Sequence, residues 1–311
     1  NSNFSDEELK EAVEFVHAHG KKIHVTCNII PHNEDFEGLE DYLKFLESIG
    51  VDAIIVADMG IFSLAKRVAP GLELHVSTQA STTNWHTVQM WKELGATRVV
   101  AAREVSLADL KEMKDNVDIE IESFVHGSMC ISYSGRCLLS NYMTGNRDAN
   151  RGQCSQSCRW KYSLVESNRP GEYYPIEEDE HGTYIFNSKD LCLIHRIPDL
   201  YEAGIDSLKI EGRMKSVHYC ATVAKVYRTA IDTYLKEGKD WYVRPEWIAE
   251  LEKISHRPYT DGFAEGRPDE TAQNYDKSTN TQSHDFIGLV LGYNEEEKYV
   301  DLEQRNNFKV G

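Results

Sequence analysis

Long hydrophobic stretches are absent from this sequence. No apolar run approaches the roughly 18–20 residues that a membrane-spanning helix needs. The opening residues, Asn-Ser-Asn-Phe-Ser, also lack the charged end and the apolar segment of a signal peptide. We therefore expect a cytoplasmic protein that does not act in a membrane.

Positive charge is scarce as well. The chain has 34 Lys and Arg against 51 Asp and Glu, which gives a formal net charge of −17. Nonspecific binding to nucleic acid depends on many clustered cations, so this balance excludes a protein with a basic coat and leaves only local basic patches. With 311 residues, of which 41% are hydrophobic, the chain is long enough for one large core and a small satellite domain.

Seven cysteines are present although no export signal precedes them. Cytosolic thiol pools keep disulfides reduced, so the cysteines need another explanation. Cys27 and Cys220 have apolar neighbours within regular elements, where cysteine behaves as a small hydrophobic residue. The other five fall between residues 125 and 204: Cys130, Cys137, Cys154, Cys158 and Cys192.

Short apolar runs alternate with amphipathic stretches, several of which end in glycine. The runs are residues 23–28, 53–58, 74–79, 98–103, 119–124 and 207–211. This alternation is typical of a parallel sheet with crossover helices. Each run ends in polar residues, and in α/β barrels the functional groups gather at the carboxyl ends of the strands. We therefore expect these residues at one common mouth, although single members can instead cap the helices that follow.

The fold prediction is an α/β fold: a TIM-like (β/α) barrel that lacks its first βαβ segment, since six runs are too few for eight strands. An open doubly wound sheet is the alternative. We assign residues 1–261 to the barrel, with a cysteine-rich insertion at 125–204, and residues 262–285 to a linker. Residues 286–311 contain two predicted strands and form the start of a small β domain.

The insertion brings thiols together in one segment, which indicates a soft metal or an iron–sulfur cluster with about four thiolate ligands. A structural zinc is the alternative. Zinc sites usually have short paired Cys-x2–4-Cys spacings, and only Cys154 and Cys158 have one. The spacing alone leaves the two possibilities open.

Four segments resemble the signature of the collagenase-like peptidase family U32. They are residues 122–140 (ESFVHGSMCISYSGRCLLS), 147–162 (RDANRGQCSQSCRWKY), 187–192 (NSKDLC) and 207–216 (SLKIEGRMKS). The resemblance spans nearly the whole chain, and these motifs are long and specific. The family's usual opening strand has no counterpart in this chain, which agrees with a missing first segment.

The resemblance implies an enzyme of RNA hydroxylation more than a peptidase. The better understood family members hydroxylate RNA or quinone precursors and carry a [4Fe–4S] cluster, and this sequence is most similar to the branch that forms 5-hydroxyuridine at the tRNA wobble position with prephenate. The resemblance implies that the cluster ligands are Cys130, Cys137, Cys154 and Cys192, with Cys158 as the alternative to Cys192. The implied partners are a tRNA anticodon loop and a small dicarboxylate co-substrate, in an oligomer of one chain or with a family paralogue.

Two sets of side chains follow from the strand ends and the insertion. The catalytic candidates are Glu122, His126, Lys209, Glu211 and Arg213. The candidates for substrate binding are Gln79, Arg103, Lys215, Arg147, Arg151 and Arg159. Cations suit the carboxylates of a dicarboxylate, and the Arg-rich insertion suits RNA phosphates and bases. The simpler interpretations are that Glu211 pairs with Arg213 and that the insertion is a solvated charged loop.

Two other functions remain in competition. His126 and Cys130 are four residues apart and could form a peptidase dyad, but no third orienting group is evident and a cluster ligand is not a free nucleophile. A noncatalytic protein that binds RNA and holds the cluster structurally is the other alternative.

Overall fold

The structure is a computed structural model, and it describes residues 4–130, 132–145, 147–160, 163–164, 174–175, 188–268 and 283–307. The helices are α1 Asp6–Ala18, α2 Leu39–Ser48, α3 Met59–Val68, α4 Trp85–Leu94, α5 Leu107–Asn116, α6 Leu139–Thr144, α7 Ile197–Glu202, α8 Val217–Glu237 and α9 Pro245–Lys253. Short 3-10 helices lie at Asn33–Phe36, Thr78–Ala80, Ser157–Arg159, Ile194–Arg196 and Gly238–Asp240. The strands are β1 His24–Cys27, β2 Ala53–Val56, β3 Glu73–Val76, β4 Arg98–Val100, β5 Glu120–Ser128, β6 Ser163–Leu164, β7 Tyr174–Pro175, β8 Asp190–Cys192, β9 Ser207–Ile210, β10 Tyr259–Thr260, β11 Gly288–Asn294 and β12 Tyr299–Gln304.

Local sequence signals set the helix starts. Ser5 and Glu8 form a reciprocal capping box at α1: the Glu8 amide donates to Ser5 Oγ at 3.2 Å, and the Ser5 amide donates to Glu8 Oε2 at 2.7 Å. Asp58 follows β2, and its Oδ1 accepts from the amides of Gly60 and Ile61 at 2.8 and 3.0 Å. One of the polar strand ends is therefore a helix cap.

Six strands form a parallel array in the order β1–β2–β3–β4–β5–β9. The six apolar runs thus coincide with the six parallel strands, as predicted. Their order contains no reversal, whereas a doubly wound sheet reverses at a switch point. Within the described residues no strand joins β9 to β1, so the sheet is open and forms no closed barrel.

Strand β5 is longer than its neighbours and has partners on both sides at its end. Its last part pairs antiparallel with β8, where His126 lies opposite Cys192, and β8 pairs parallel with β10. Residues 125–128, which we assigned to the insertion, therefore continue the sheet as part of β5. The end of the predicted insertion also contains regular elements, because β8 and α7 return the chain to the sheet. The domain boundaries stay a prediction.

The core lies between the sheet and the helices. Alternate strand residues such as Ile54 and Val56 are fully buried with Leu43 and Leu46 of α2 and belong to one continuous apolar cluster. Full burial of one such side chain stabilises a fold by about 1.5–3 kcal/mol. None of the helices in the described ranges combines the length and apolar character that a membrane crossing requires.

The predicted strands near the end of the chain are present as an antiparallel ribbon. Strand β11 pairs with β12 from Gly288↔Gln304 to Asn294↔Tyr299. Several apolar side chains of this ribbon are exposed, including Val290 and Leu291.

Gly127 allows β5 and β9 to approach closely where both reach the mouth of the sheet. Its φ is +114°, and a Cβ at this position would lie 2.5 Å from the Glu211 carbonyl oxygen. The Glu211 amide donates to the His126 carbonyl at 2.8 Å and completes this junction. A side chain at residue 127 would separate the strands.

Gly127→Ala should therefore lower the free energy of unfolding by about 2 kcal/mol more than Gly145→Ala, because overpacking adds to backbone strain. Gly145 has a φ of +76° and, among the described residues, no atom within 4 Å of a built Cβ, so its substitution measures backbone strain. Urea denaturation of both variants measures the difference. Equal losses would show that β5 and β9 can separate without cost.

Candidate functional site

The carboxyl ends of β3, β4, β5 and β9 meet under residues 129–160, which we call the cysteine loop. Gln79 follows β3, and its Oε1 accepts from Asn150 Nδ2 at 2.8 Å. Asn150 is buried, and its Oδ1 accepts from the Ile30 amide at 2.7 Å. Gly135 lies so close that a Cβ there would be 2.7 Å from Gln79 Cδ. The predicted mouth therefore exists, and the cysteine loop covers it.

Arg103 occupies the centre of this mouth. Its guanidinium lies 3.7 Å from the centroid of the Phe124 ring, and its Nη2 is 3.5 Å from Glu211 Oε2. The same group donates to Ser134 Oγ in the cysteine loop. Burial lowers the pKa of Arg103, while the charges of Glu211 and Cys130 oppose that effect. Arg103 thus connects β4, β5 and β9 with the loop.

Glu122 forms a buried ionic network one layer below. Its Oε1 accepts from Lys209 Nζ at 2.6 Å, and its Oε2 accepts from Ser207 Oγ and Arg98 Nη1, both at 2.9 Å. Burial alone would raise the pKa of Glu122, but Lys209, Ser207 and Arg98 together lower it to about 2. The carboxylate is therefore ionised and joins β4, β5 and β9. Its catalytic role and that of Lys209 stay predictions.

His126 lies on β5 within an aromatic enclosure. The ring centroids of Tyr219, Tyr227 and Tyr259 are 6.0, 5.5 and 5.3 Å from that of His126. Burial lowers the pKa of His126 to about 3, and the charge of Asp190 only partly opposes it. Neither ring nitrogen has a hydrogen-bond partner among the described residues. The imidazole is therefore neutral near pH 7 and is not bonded to a thiol.

The cations that follow β9 have different environments. Lys215 Nζ donates to the Ser255 carbonyl at 3.0 Å and lies 3.7 Å from Asp190 Oδ2. The Arg213 amide donates to Glu211 Oε1 at 2.9 Å. Its guanidinium is exposed and occupies the place that a Cβ on Gly152 would take. Glu211 therefore contacts the Arg213 backbone, whereas its side-chain ion pair is with Arg103.

The arginines of the cysteine loop also differ from one another. Arg147 donates to the carbonyls of Gln153 and Cys154 at 3.1 and 3.3 Å. Arg151 makes a bidentate pair with Asp35 at 2.9 and 2.7 Å, and Arg151 is the main cause that lowers the pKa of Asp35 to about 2. The side chain of Arg159 lies outside the described residues. Of the RNA-binding candidates, the structure thus shows Arg151 to be engaged by a carboxylate.

Two of the predicted cluster ligands, Cys137 and Cys154, lie close enough to Cys130 to affect its pKa. Burial raises the pKa of Cys130, and the neighbouring Cys137 and Cys154 raise it further. Cys158 lies in the short helix that follows Cys154. Within the described ranges, no three His, Cys, Asp or Glu side chains are already arranged to hold a metal ion. The thiol donor set fits an iron–sulfur cluster, in which each thiolate binds a different iron.

Cys192, the fourth predicted ligand, lies outside the cysteine loop that carries the other three. It lies in β8 and is 5% exposed, and its Sγ is 3.9 Å from the Tyr227 hydroxyl oxygen. The same hydroxyl donates to the Val125 carbonyl at 2.8 Å. Burial raises the pKa of Cys192. Its assignment as a ligand stays a prediction, with Cys158 as the alternative.

Three residues of the site were missed in the sequence. Asn150 and Ser134 fix the cysteine loop on the sheet, and Phe124 supports Arg103. All three lie within the motif segments. Their residue types alone do not indicate that Asn150 and Ser134 contact the sheet or that Phe124 lies against a guanidinium. Only the pairing of distant segments reveals them.

The model of the family described as "Peptidase family U32" matches residues 1–274. The chain belongs to peptidase family U32. Among its relatives, the tRNA hydroxylation protein P1 of Bacillus subtilis is 51% identical over 309 residues, which cover 99% of this chain and 73% of the relative. The tRNA hydroxylation protein P of Escherichia coli is 38% identical and covers 100% of this chain and 77% of the relative. The 23S rRNA 5-hydroxycytidine C2501 synthase of Escherichia coli is 35% identical, over 94% of this chain and 43% of that protein.

The ionic network of Glu122 makes stability depend on pH. Because its pKa in the folded protein is about 2 instead of 4.5, its contribution is complete above pH 4.5 and is lost as the pH falls toward 2. Glu122→Gln should lower the free energy of unfolding at pH 7 by about 3 kcal/mol and flatten the decline below pH 4.5. Urea denaturation between pH 7 and pH 3 measures both effects.

Glu120→Gln is the matched control, because its side chain is half exposed and pairs with the same Arg98. It should cost less than about 1 kcal/mol. If both variants unfold alike at every pH, Glu122 is not the centre of the network.

Proposed function

We propose that this protein is part of an enzyme that hydroxylates carbon 5 of the wobble uridine in tRNA, with a [4Fe–4S] cluster and prephenate. The supporting comparison is with family members named for tRNA and rRNA hydroxylation. The single observation that carries the proposal is the loop that contains Cys130 and, within reach of its charge, Cys137 and Cys154, fixed over the carboxyl ends of a parallel sheet. That edge is where enzymes of this architecture place their chemistry.

The surface around the thiols suits single-stranded RNA. Three aromatic side chains near the cysteines are exposed: Tyr133 by 47%, Tyr142 by 80% and Trp160 by 44%. Unstacked bases of an anticodon loop stack on aromatic rings, and arginines contact the phosphates between them. Exposed aromatic rings and the exposed Arg147 and Arg213 would provide both kinds of contact. This local surface is what an acidic chain needs in order to bind RNA.

Cys130, Cys137 and Cys154 would hold the cluster, with Cys192 as the predicted fourth ligand. When bound, the cluster supplies the redox capacity that amino-acid side chains lack. Arg103 lies close enough to Cys130 to affect its pKa. Its positive charge therefore favours thiolate at this position. The fixed loop keeps the ligands at the mouth of the sheet.

The dicarboxylate is predicted to bind the cations that end or follow the strands, and most of these cations already have acidic partners. Arg103, Lys209 and Lys215 lie beside Glu211, Glu122 and Asp190, respectively. A dicarboxylate would therefore compete with internal carboxylates at these positions. Prephenate as co-substrate is supported by the motif resemblance, and the geometry adds no separate support.

We also infer that the sheet is the wall of an incomplete (β/α) barrel. The uninterrupted order of parallel strands is the order in such a wall, and crossovers of one hand place the helices on one face. The two edge strands, β1 and β9, are the places where further strands would join.

The peptidase alternative has little support in the geometry. A cysteine nucleophile needs a lowered pKa and a neighbouring base. Here burial raises the pKa of Cys130, and His126 is neutral and enclosed by tyrosines.

The protein purified without oxygen should contain about four iron and four sulfide per chain. Single Ala substitutions of Cys130, Cys137 or Cys154 should remove the iron, because each removes one ligand. Cys27→Ala is the control and should retain it. Comparing Cys158→Ala with Cys192→Ala identifies the fourth ligand. A colourless protein with one zinc would contradict the proposal.

Cells that lack this protein should lose 5-hydroxyuridine and its derivatives from tRNA, as measured by mass spectrometry of nucleosides. The wild-type gene should restore them, and the Cys130→Ala gene should not, because its product lacks the cluster. Unchanged tRNA nucleosides, together with digestion of gelatin by the purified protein, would establish the peptidase function instead.

A further inference from the structure

A small pocket lies next to Cys154 at the surface of the cysteine loop. It has a volume of about 160 Å³ and is lined by Arg147, Gly152, Gln153 and Met214. Among the described residues, no acidic side chain lines it. We call it the loop pocket.

Arg147 holds one side of the loop pocket. Its Nε and Nη2 donate to the carbonyls of Gln153 and Cys154, so two of its N–H groups fix the turn. A guanidinium has five N–H groups. Within the described residues Arg147 has no carboxylate partner, so its remaining donors and its full charge are available to a ligand.

Arg213 also reaches this turn, and its neighbour Met214 lines the loop pocket. Its guanidinium lies where a Cβ on Gly152 would be, and Gly152 has a φ of +73°. Glycine at this position thus permits both the turn and the close approach of the guanidinium. Among the described residues Arg213 also has no ion pair, so two unneutralised guanidinium groups bracket one short turn.

Arg147 and Arg213 differ from a neighbouring cation that already has an acidic partner. Arg151 lies in the same turn but is held by both oxygens of Asp35. In a chain with a net charge of −17, Arg147 in the pocket lining and Arg213 against Gly152 at its edge, both without an ion pair among the described residues, form a site for an anion.

We propose that Arg147 and Arg213 together bind one backbone phosphate of the RNA substrate. This inference rests on the proposed function. Pockets for small molecules usually measure about 300–1,000 Å³ and enclose most of the ligand. The loop pocket is smaller, which suits one charged group of a longer polymer. Thr144 Oγ1 accepts from the Arg147 amide at 3.1 Å, so α6, with the exposed Tyr142, adjoins the pocket.

The test is the salt dependence of binding between the full-length protein, purified with its cluster, and a fluorescent anticodon stem-loop RNA. For single strands, the slope of log K against log salt changes by about 0.7 for each phosphate contact. Arg147→Gln, Arg213→Gln and the double variant should each weaken binding about tenfold and reduce the slope by about 0.7, because all three lose the same phosphate. Fluorescence anisotropy measures both quantities.

Gly152→Ala tests the geometry without removing charge, because a Cβ would displace the Arg213 guanidinium. It should reproduce the loss seen with Arg213→Gln. Arg228→Gln, at an exposed position on α8 paired with Asp232, is the control for net charge and should bind RNA like the wild type. Thermal melting and iron content verify that each variant is folded and loaded.

Four outcomes would overturn the inference. Unchanged RNA binding with a higher requirement for the dicarboxylate would assign the pocket to the co-substrate. A slope change of about 1.4 in the double variant would mean two separate phosphates. If all variants bind RNA as tightly as the wild type does, and the wild type still hydroxylates tRNA, only this inference is wrong. A wild-type protein that neither binds nor hydroxylates tRNA would remove the proposed function as well.

Discussion

The arrangement of the site depends on one buried guanidinium, that of Arg103. It lies on the face of Phe124, pairs with Glu211 and donates to Ser134, so it joins three strand ends to the cysteine loop. A cation with little access to water is stable only where ring, carboxylate and hydroxyl replace the water. The position of the loop over the sheet is therefore coupled to the burial of this charge.

A second ionic layer lies beneath it. Glu122 accepts from Lys209, Ser207 and Arg98, and its contacts connect β4, β5 and β9. The two layers use most of the cations that lie on the strands. Arginines without an ion pair among the described residues remain in the loop and in the segment after β9, Arg147 and Arg213 among them. An acidic chain can thus present a cationic surface at one place.

The enclosure of His126 illustrates how burial decides chemical role. Three tyrosines surround the imidazole, and its pKa of about 3 keeps it neutral. A neutral histidine without hydrogen-bond partners among the described residues differs from the orienting base of a peptidase. Cys130 follows the end of β5 by two residues, so the enclosed histidine and the proposed cluster ligand are only four residues apart.

The sequence by itself determined the alternation of strands and helices, because hydrophobic periodicity and capping residues act locally. It identified the six parallel strands, the capping box of Ser5 and Glu8, the ribbon near the end and the family. It also placed Gln79, Arg103 and Glu211 at one mouth, since parallel strands end at a common edge. The tertiary structure alone decided which charges neutralise one another. Arg151 is held by Asp35, 116 residues away, and Lys209 by Glu122, 87 residues away. Such pairs depend on segments distant in sequence that meet only after folding, and desolvation at those contacts sets the pKa values that no local pattern encodes.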